Sequence, residues 1–124
     1  MNTENKGKLN ALIVDDEEDI GALLVRFLGR EGITTVYADR IKKAEKMIAQ
    51  ELFDFYLLDL NLPDGTGFDL IPSIRDQNSS ATIIVISAYD GVAEMNRARE
   101  LEVDRFIRKP FSKKLVLQTI ADLS

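Results

Sequence analysis

The sequence predicts a doubly wound α/β fold, a single sheet of five parallel strands with helices on both faces. Two observations carry that expectation. Five short apolar runs recur along the 124-residue chain, and between them the apolar residues fall at helical spacing. Strands that alternate with helices join in parallel through right-handed crossovers, which builds a sheet of five βα units.

The first run, Leu9 to Val14, is nearly continuous in apolar residues, as a strand covered on both faces requires. Ile20, Leu23, Leu24, Phe27 and Leu28 then form one helical stripe, and Gly32 supplies its C-terminal stop. Ile33 to Tyr37 reads as the second strand. Ile41, Ala44 and Ile48 repeat the helical spacing after Asp39, a residue suited to an N-cap. Phe53 to Leu58 is the third strand, and Gly67 to Arg75 the third helix, bent where Pro72 removes a ladder hydrogen bond. After a fourth strand at Thr82 to Ile86, Val92, Met95, Ala98 and Leu101 recur every three residues. That thin, drifting stripe predicts a loosely packed helix. Phe106 and Ile107 mark the fifth strand. Leu115 or Val116, Thr119, Ile120 and Leu123 mark the last helix, with Ser112 as its N-cap.

Length and composition bound the rest. The chain is the size of one domain, expected over residues 9–124 behind a polar segment at 1–8. Its 45% hydrophobic and 30% charged residues are those of an ordinary soluble domain, and no apolar run is long enough to span a bilayer. Residues 1–8 lack the apolar stretch of a secretory signal, so the cytoplasm is the default compartment. The absence of cysteine excludes disulfides and thiolate metal sites. A net charge of -5 argues against direct nucleic-acid binding, which draws its affinity from a basic surface. Charge is unevenly placed: residues 1–90 carry nine Lys and Arg against sixteen Asp and Glu, residues 91–124 seven against five. Scatter among solvated side chains explains this as well as a second partner would.

In such sheets ligands bind beyond the carboxyl ends of the strands. There stand Asp15 and Asp16 after the first strand, Asp59 after the third, Ser87 after the fourth and Lys109 after the fifth. Taken singly, most have ordinary readings. Asp16, Glu17, Glu18 and Asp19 suit the positive end of a helix, Ser87 a turn, and Lys109 the surface. Asp59 is harder to dismiss, because a carboxylate that ends a buried run is costly unless paired, protonated or bound to metal. Three acidic oxygen donors in a chain without histidine or cysteine specify a hard cation, and Mg2+ suits an open site completed by water and phosphate. A divalent ion would offset the repulsion between a carboxylate and an incoming phosphoryl group. Lys109 and Ser87 would contact further phosphoryl oxygens.

These residues, in this order, resemble the receiver domain of two-component response regulators. The shared stretches are Ile13-Val14-Asp15-Asp16-Glu17, Leu57-Leu58-Asp59-Leu60-Asn61-Leu62-Pro63-Asp64-Gly65, Val85-Ile86-Ser87-Ala88 and Arg108-Lys109-Pro110-Phe111. The resemblance runs from about Leu9 to the end of the chain. It implies a flavodoxin-like (βα)5 fold and Asp59 as phosphoacceptor. Mg2+ would be held by Asp15, Asp16, Asp59 and the backbone carbonyl of Asn61. Ser87 and Lys109 would be the phosphoryl-sensing pair, and Phe106 the switch aromatic, although a plain core role suits Phe106 equally. A cis Lys109-Pro110 bond follows from the same likeness, as do lifetime-tuning roles for Asn61 and Tyr89. The implied partners are a sensor histidine kinase or histidine phosphotransferase, and an output protein or domain that docks on the face of the fourth helix, fifth strand and fifth helix.

The chain departs from the family where Gly-Ala-Asp-Asp often precedes the switch aromatic; here stands Glu102-Val103-Asp104-Arg105. Arg105 reverses a charge used in one mode of receiver dimerisation, which leaves a homodimer open. With nothing after Ser124, a free-standing receiver and one cut from a larger regulator are both compatible. Two other functions compete. A haloacid-dehalogenase-like phosphatase also uses a strand-end Asp, Mg2+ and a Lys, but its general acid would fall on Asn61, which cannot serve. A non-phosphorylated binding module would have lost the acceptor or the lysine, and both remain. A flavin site lacks its phosphate-cradling loop after the first strand.

Overall fold

The computed structural model describes residues 8–124, so the expected polar segment lies, apart from Lys8, outside the described residues. Five strands, β1 (Asn10–Val14), β2 (Thr34–Ala38), β3 (Phe55–Leu58), β4 (Thr82–Ser87) and β5 (Arg105–Arg108), form one sheet in the order β2-β1-β3-β4-β5. Every pairing is parallel. The helices are α1 (Glu18–Arg30), α2 (Ile41–Gln50), α3 (Ile71–Gln77), α4 (Val92–Glu100) and α5 (Lys113–Leu123). No helix among the described residues is long and apolar enough to cross a membrane.

Side chains alternate across the pleat, so the sheet serves two cores. Leu12, Val14, Tyr56 and Leu58 face α2, α3 and α4, where Ile48, Ile74 and Ala98 meet them. Ala11, Ile13, Phe55 and Leu57 face α1 and α5, where Leu24, Leu28, Val116 and Ile120 close over them. Each of the Val, Leu, Ile and Phe side chains among them, fully buried, contributes roughly 1.5–3 kcal/mol. Strand order reverses between β1 and β3, and the crevice at that switch point positions the site.

Gly32 ends α1 as expected. At φ +80 it lets Ile33 N–H reach the Leu28 carbonyl at 3.1 Å while its own N–H meets Gly29. Ser112 caps α5, accepting from Leu115 N–H at 3.0 Å. The cap of α2 differs from expectation. Asp39 pairs with Arg40 and Lys43, and the open N–H groups of Ile41 and Lys42 are met by Asp64, at 2.8 and 3.1 Å, from the loop after β3. The third helix also differs. Gly67–Leu70 is a 3-10 turn capped by Thr66 and Asp69, and the α-helix starts at Ile71. Pro72 thus sits in a first turn, where the missing N–H would have been unpaired anyway, and removes no ladder bond.

The fourth helix is as sparsely anchored as its pattern predicts. Ala98 is its buried residue, whereas Val92 is 78% exposed. At the departure before β5, Glu102 adopts φ 57, a left-handed conformation in a residue with a side chain. Arg75 holds it there, donating to the Glu102 carbonyl at 2.9 Å and the Ala81 carbonyl at 2.7 Å.

Candidate functional site

Four of the five strands deliver a part of the site as they leave the sheet. Asp15 follows β1 and remains tied to β2 through its N–H, which donates to Ala38 at 3.1 Å. Asp59 follows β3, with its N–H on the Val14 carbonyl at 2.9 Å. Both carboxylates are buried, at 2% and 4% exposure. Lys109 follows β5, with its N–H on the Ser87 carbonyl at 2.9 Å and a cis bond to Pro110, as expected. Its Nζ lies 2.9 Å from Asp15, 3.2 Å from Asp59 and 2.7 Å from Glu17.

Four carboxylates, those of Asp15, Asp16, Glu17 and Asp59, bring oxygens within 4.8 Å of one another, and the Lys109 ammonium contacts three of them. Burial pushes the Asp15 carboxyl up to about 6, assisted by the charge of Asp59 and opposed by Lys109 and the Glu17 N–H. Burial works against the Lys109 ammonium too, yet its bonds to Glu17 and Asp15 and the charges of Asp15 and Asp59 outweigh it and raise its pKa. Lys109 is therefore a fixed cation, too little to neutralise the cluster. An all-oxygen donor set with surplus negative charge fits a hard divalent cation.

Asn61 and Tyr89 line an open cleft of about 160 Å³ together with Asp16, Asp59 and Lys109. Asn61 N–H donates to Asp59 Oδ1 at 3.3 Å, and its side-chain amide donates to the Tyr89 hydroxyl at 3.4 Å. Ser87 is buried at the end of β4, and its Oγ accepts from the Tyr89 N–H at 3.0 Å. Phe106 is half-buried on β5, packed on the α2, α3 and α4 side of the sheet beside α4. Among the described residues no buried side-chain polar atom lacks a partner.

Two residues of the site were not singled out by sequence reasoning. Glu17 reads as helix N-terminal chemistry, yet it contacts Lys109 across 92 residues of chain. Tyr37 reads as a strand residue, yet its hydroxyl donates to the Asp15 carbonyl at 2.5 Å. Burial and the neighbouring charge of Asp15 push that phenol up to about 12, so it stays a donor. The run of five acids at 15–19, which begins at the strand end, was a usable signal for Glu17; nothing local marks Tyr37.

Known proteins share this fold. The family model described as response regulator receiver domain matches residues 11–121. The response regulator protein PilR of Pseudomonas aeruginosa is 39% identical over 100 residues, covering 81% of this chain and 22% of PilR, so the chain spans less than a quarter of that relative's length. The non-phosphorylated HemR receiver domain of Leptospira biflexa superposes with a TM-score of 0.86 at 33% identity, covering 93% of both chains. A Burkholderia pseudomallei response regulator, whose structure contains a phosphorylated aspartic acid, a calcium ion and citrate, superposes at 0.83 with 30% identity, over 90% of this chain and 65% of that one. With a receiver model matched along nearly the whole sheet and its acidic strand ends, this chain belongs to the response regulator receiver domain family.

Proposed function

We propose that Asp59 accepts a phosphoryl group from a phosphohistidine, carried by a sensor histidine kinase or a histidine phosphotransferase, in a Mg2+-dependent reaction. The observation that carries this reading is Asp59 itself: a carboxylate 4% exposed, with Oδ2 on Lys109 and Oδ1 on the Asn61 N–H, at the floor of an open cleft. A carboxylate oxygen attacks phosphorus, the P–N bond of the donor breaks, and the leaving imidazole keeps the electron pair and gains a proton. The phosphorylated aspartic acid in the Burkholderia relative supports the assignment. Asp15, Asp16, Asp59 and the Asn61 carbonyl would hold the metal, which when bound would supply positive charge to offset the repulsion between the carboxylate and the phosphoryl group.

Lys109 pairs with one phosphoryl oxygen as a point charge. Ser87 donates its hydroxyl proton to another, and movement of Ser87 toward Asp59 drags the Tyr89 loop, whose N–H it already holds. Phe106 follows inward, and the weakly anchored α4 shifts between two arrangements, changing the face of α4, β5 and α5 that meets the output protein or domain. Asn61 and Tyr89, joined over the cleft, set how readily water reaches the aspartyl phosphate.

Incubation with Mg2+ and acetyl phosphate, followed by intact mass measurement, tests the reading. The expected result is a gain of one phosphoryl group that vanishes in Asp59→Asn. Steady release of free phosphate without an adduct, or an adduct that persists in Asp59→Asn, overturns it.

A further inference from the structure

We infer that Tyr37 is a positioning residue for the metal-binding carboxylates, holding the Asp15 carbonyl and thereby the Asp15–Glu17 segment in the geometry that takes Mg2+. The inference rests on the metal reading above and concerns a residue outside the expected ligand set.

Tyr37 stands on β2 opposite Ile13, one residue short of the strand's end. Its ring packs on the α1 and α5 side of the sheet, directly against α1 at Gly21. A Cβ on Gly21 would stand 2.8 Å from Cδ1 and Cζ of the ring, closer than real carbons approach. Glycine within a helix costs about 1 kcal/mol relative to alanine, and here it opens the slot the ring occupies. From that slot the hydroxyl reaches the Asp15 carbonyl at 2.5 Å. The Asp15 N–H donates to Ala38, so β2 grips this residue by both of its backbone polar groups.

The peptide that joins Asp15 to Asp16 is planar, so fixing its carbonyl fixes the direction in which the chain leaves toward Asp16 and Glu17. The Glu17 N–H then closes on Asp15 Oδ1 at 2.9 Å. Loss of the phenol frees that peptide plane to turn, and with it the spacing of three of the four clustered carboxylates. Groups that orient metal ligands without touching the metal are typically worth 10–100-fold in affinity.

Calorimetric titration of the full chain with MgCl2 compares wild type, Tyr37→Phe and Tyr56→Phe. Tyr56 is a buried control whose hydroxyl accepts from the Phe53 N–H at 3.0 Å, away from the cluster. Amide hydrogen exchange at residues 15–17 is followed without metal. The expected result is a Mg2+ Kd weakened roughly tenfold in Tyr37→Phe, faster exchange at those amides, and an unchanged Kd in Tyr56→Phe. An unchanged Kd in Tyr37→Phe, or equal weakening in both variants, overturns the role. If wild type binds no Mg2+, the metal reading itself fails. Exchange at 15–17 then separately refutes the clamp if Tyr37→Phe leaves it unaltered.

Discussion

Replacing Lys109 with Met keeps most of the side chain's volume and removes the cation that touches Asp15, Glu17 and Asp59. Asp15 and Asp59 have side chains 2% and 5% exposed, so water makes up only part of the loss of the ammonium, whereas Glu17, at 61%, is free to turn outward. Two carboxylates whose oxygens lie within 4.8 Å of each other repel by at least about 3.5 kcal/mol at an effective dielectric constant near 20. Removing one partner of a buried ion pair costs about 3–5 kcal/mol. Protonation limits the penalty. Burial already pushes the Asp15 carboxyl up to about 6 beside Lys109, and loss of the ammonium pushes it further toward the neutral form, so we expect a loss of about 3 kcal/mol. A carboxyl whose folded pKa is raised stabilises the fold fully below its unfolded value of 3.8, and the contribution fades as pH rises through about 6. The gap between Lys109→Met and wild type should therefore narrow as pH falls from 7 toward 4. Urea denaturation in EDTA across that range measures it, and Mg2+ at a hundred times its Kd should restore about 2.7 kcal/mol. A variant within about 0.5 kcal/mol of wild type at pH 7 in EDTA would refute the electrostatic account, because the change would then resemble an ordinary surface substitution.

Other perturbations test separate parts of the structure. Gly67→Ala would drive a Cβ into the Asp59 carbonyl oxygen; we expect a loss of about 1–3 kcal/mol in denaturant melts and slower phosphorylation by acetyl phosphate. Glu102→Gly relieves a left-handed backbone and should raise stability by about 1 kcal/mol, read as a higher urea midpoint. Asp64 is held below the usual carboxylate range by the Ile41 N–H, so its support of α2 is present above pH 3.8 and lost as pH falls through its lowered value. Asp64→Ala should accordingly lower the Tm at pH 7 and flatten the Tm profile in acid. Tyr89→Ala removes the phenol that accepts from Asn61 over the cleft and should change the decay rate of phosphorylated protein; unaltered decay by intact mass would remove Tyr89 from that role.

Much of the molecule was legible in the order of its residues because its periodicities are local. The stripe from Ile20 to Leu28, the stop at Gly32 and the cap at Ser112 are each fixed within a turn or two of helix, and each stands where the pattern puts it. The four strand ends that carry site residues were legible for the same reason, and the sheet brings Asp15, Asp59 and Lys109 into contact. What escaped is non-local. Asp64 caps a helix 23 residues earlier, Tyr37 reaches 22 residues back to Asp15, and Glu17 meets Lys109 only through the completed sheet. No window of sequence contains both members of such a pair. The start of α3 escaped for a smaller reason, since a 3-10 turn and an α-helix share their caps and differ in a single hydrogen-bond register.

Lys109 contacts Asp59 across 50 residues and Glu17 across 92, and it reaches them from an edge strand. On a ribosome, every carboxylate of the cluster emerges well before the cation that balances it. A growing chain with β1 to β4 paired would hold buried acids with no lysine among them, so early burial of Asp15 and Asp59 is penalised until β5 docks. Pairings this distant in sequence form late in folding. A chain that lacks β5 would hold Asp15 and Asp59 without Lys109, the cation that balances them.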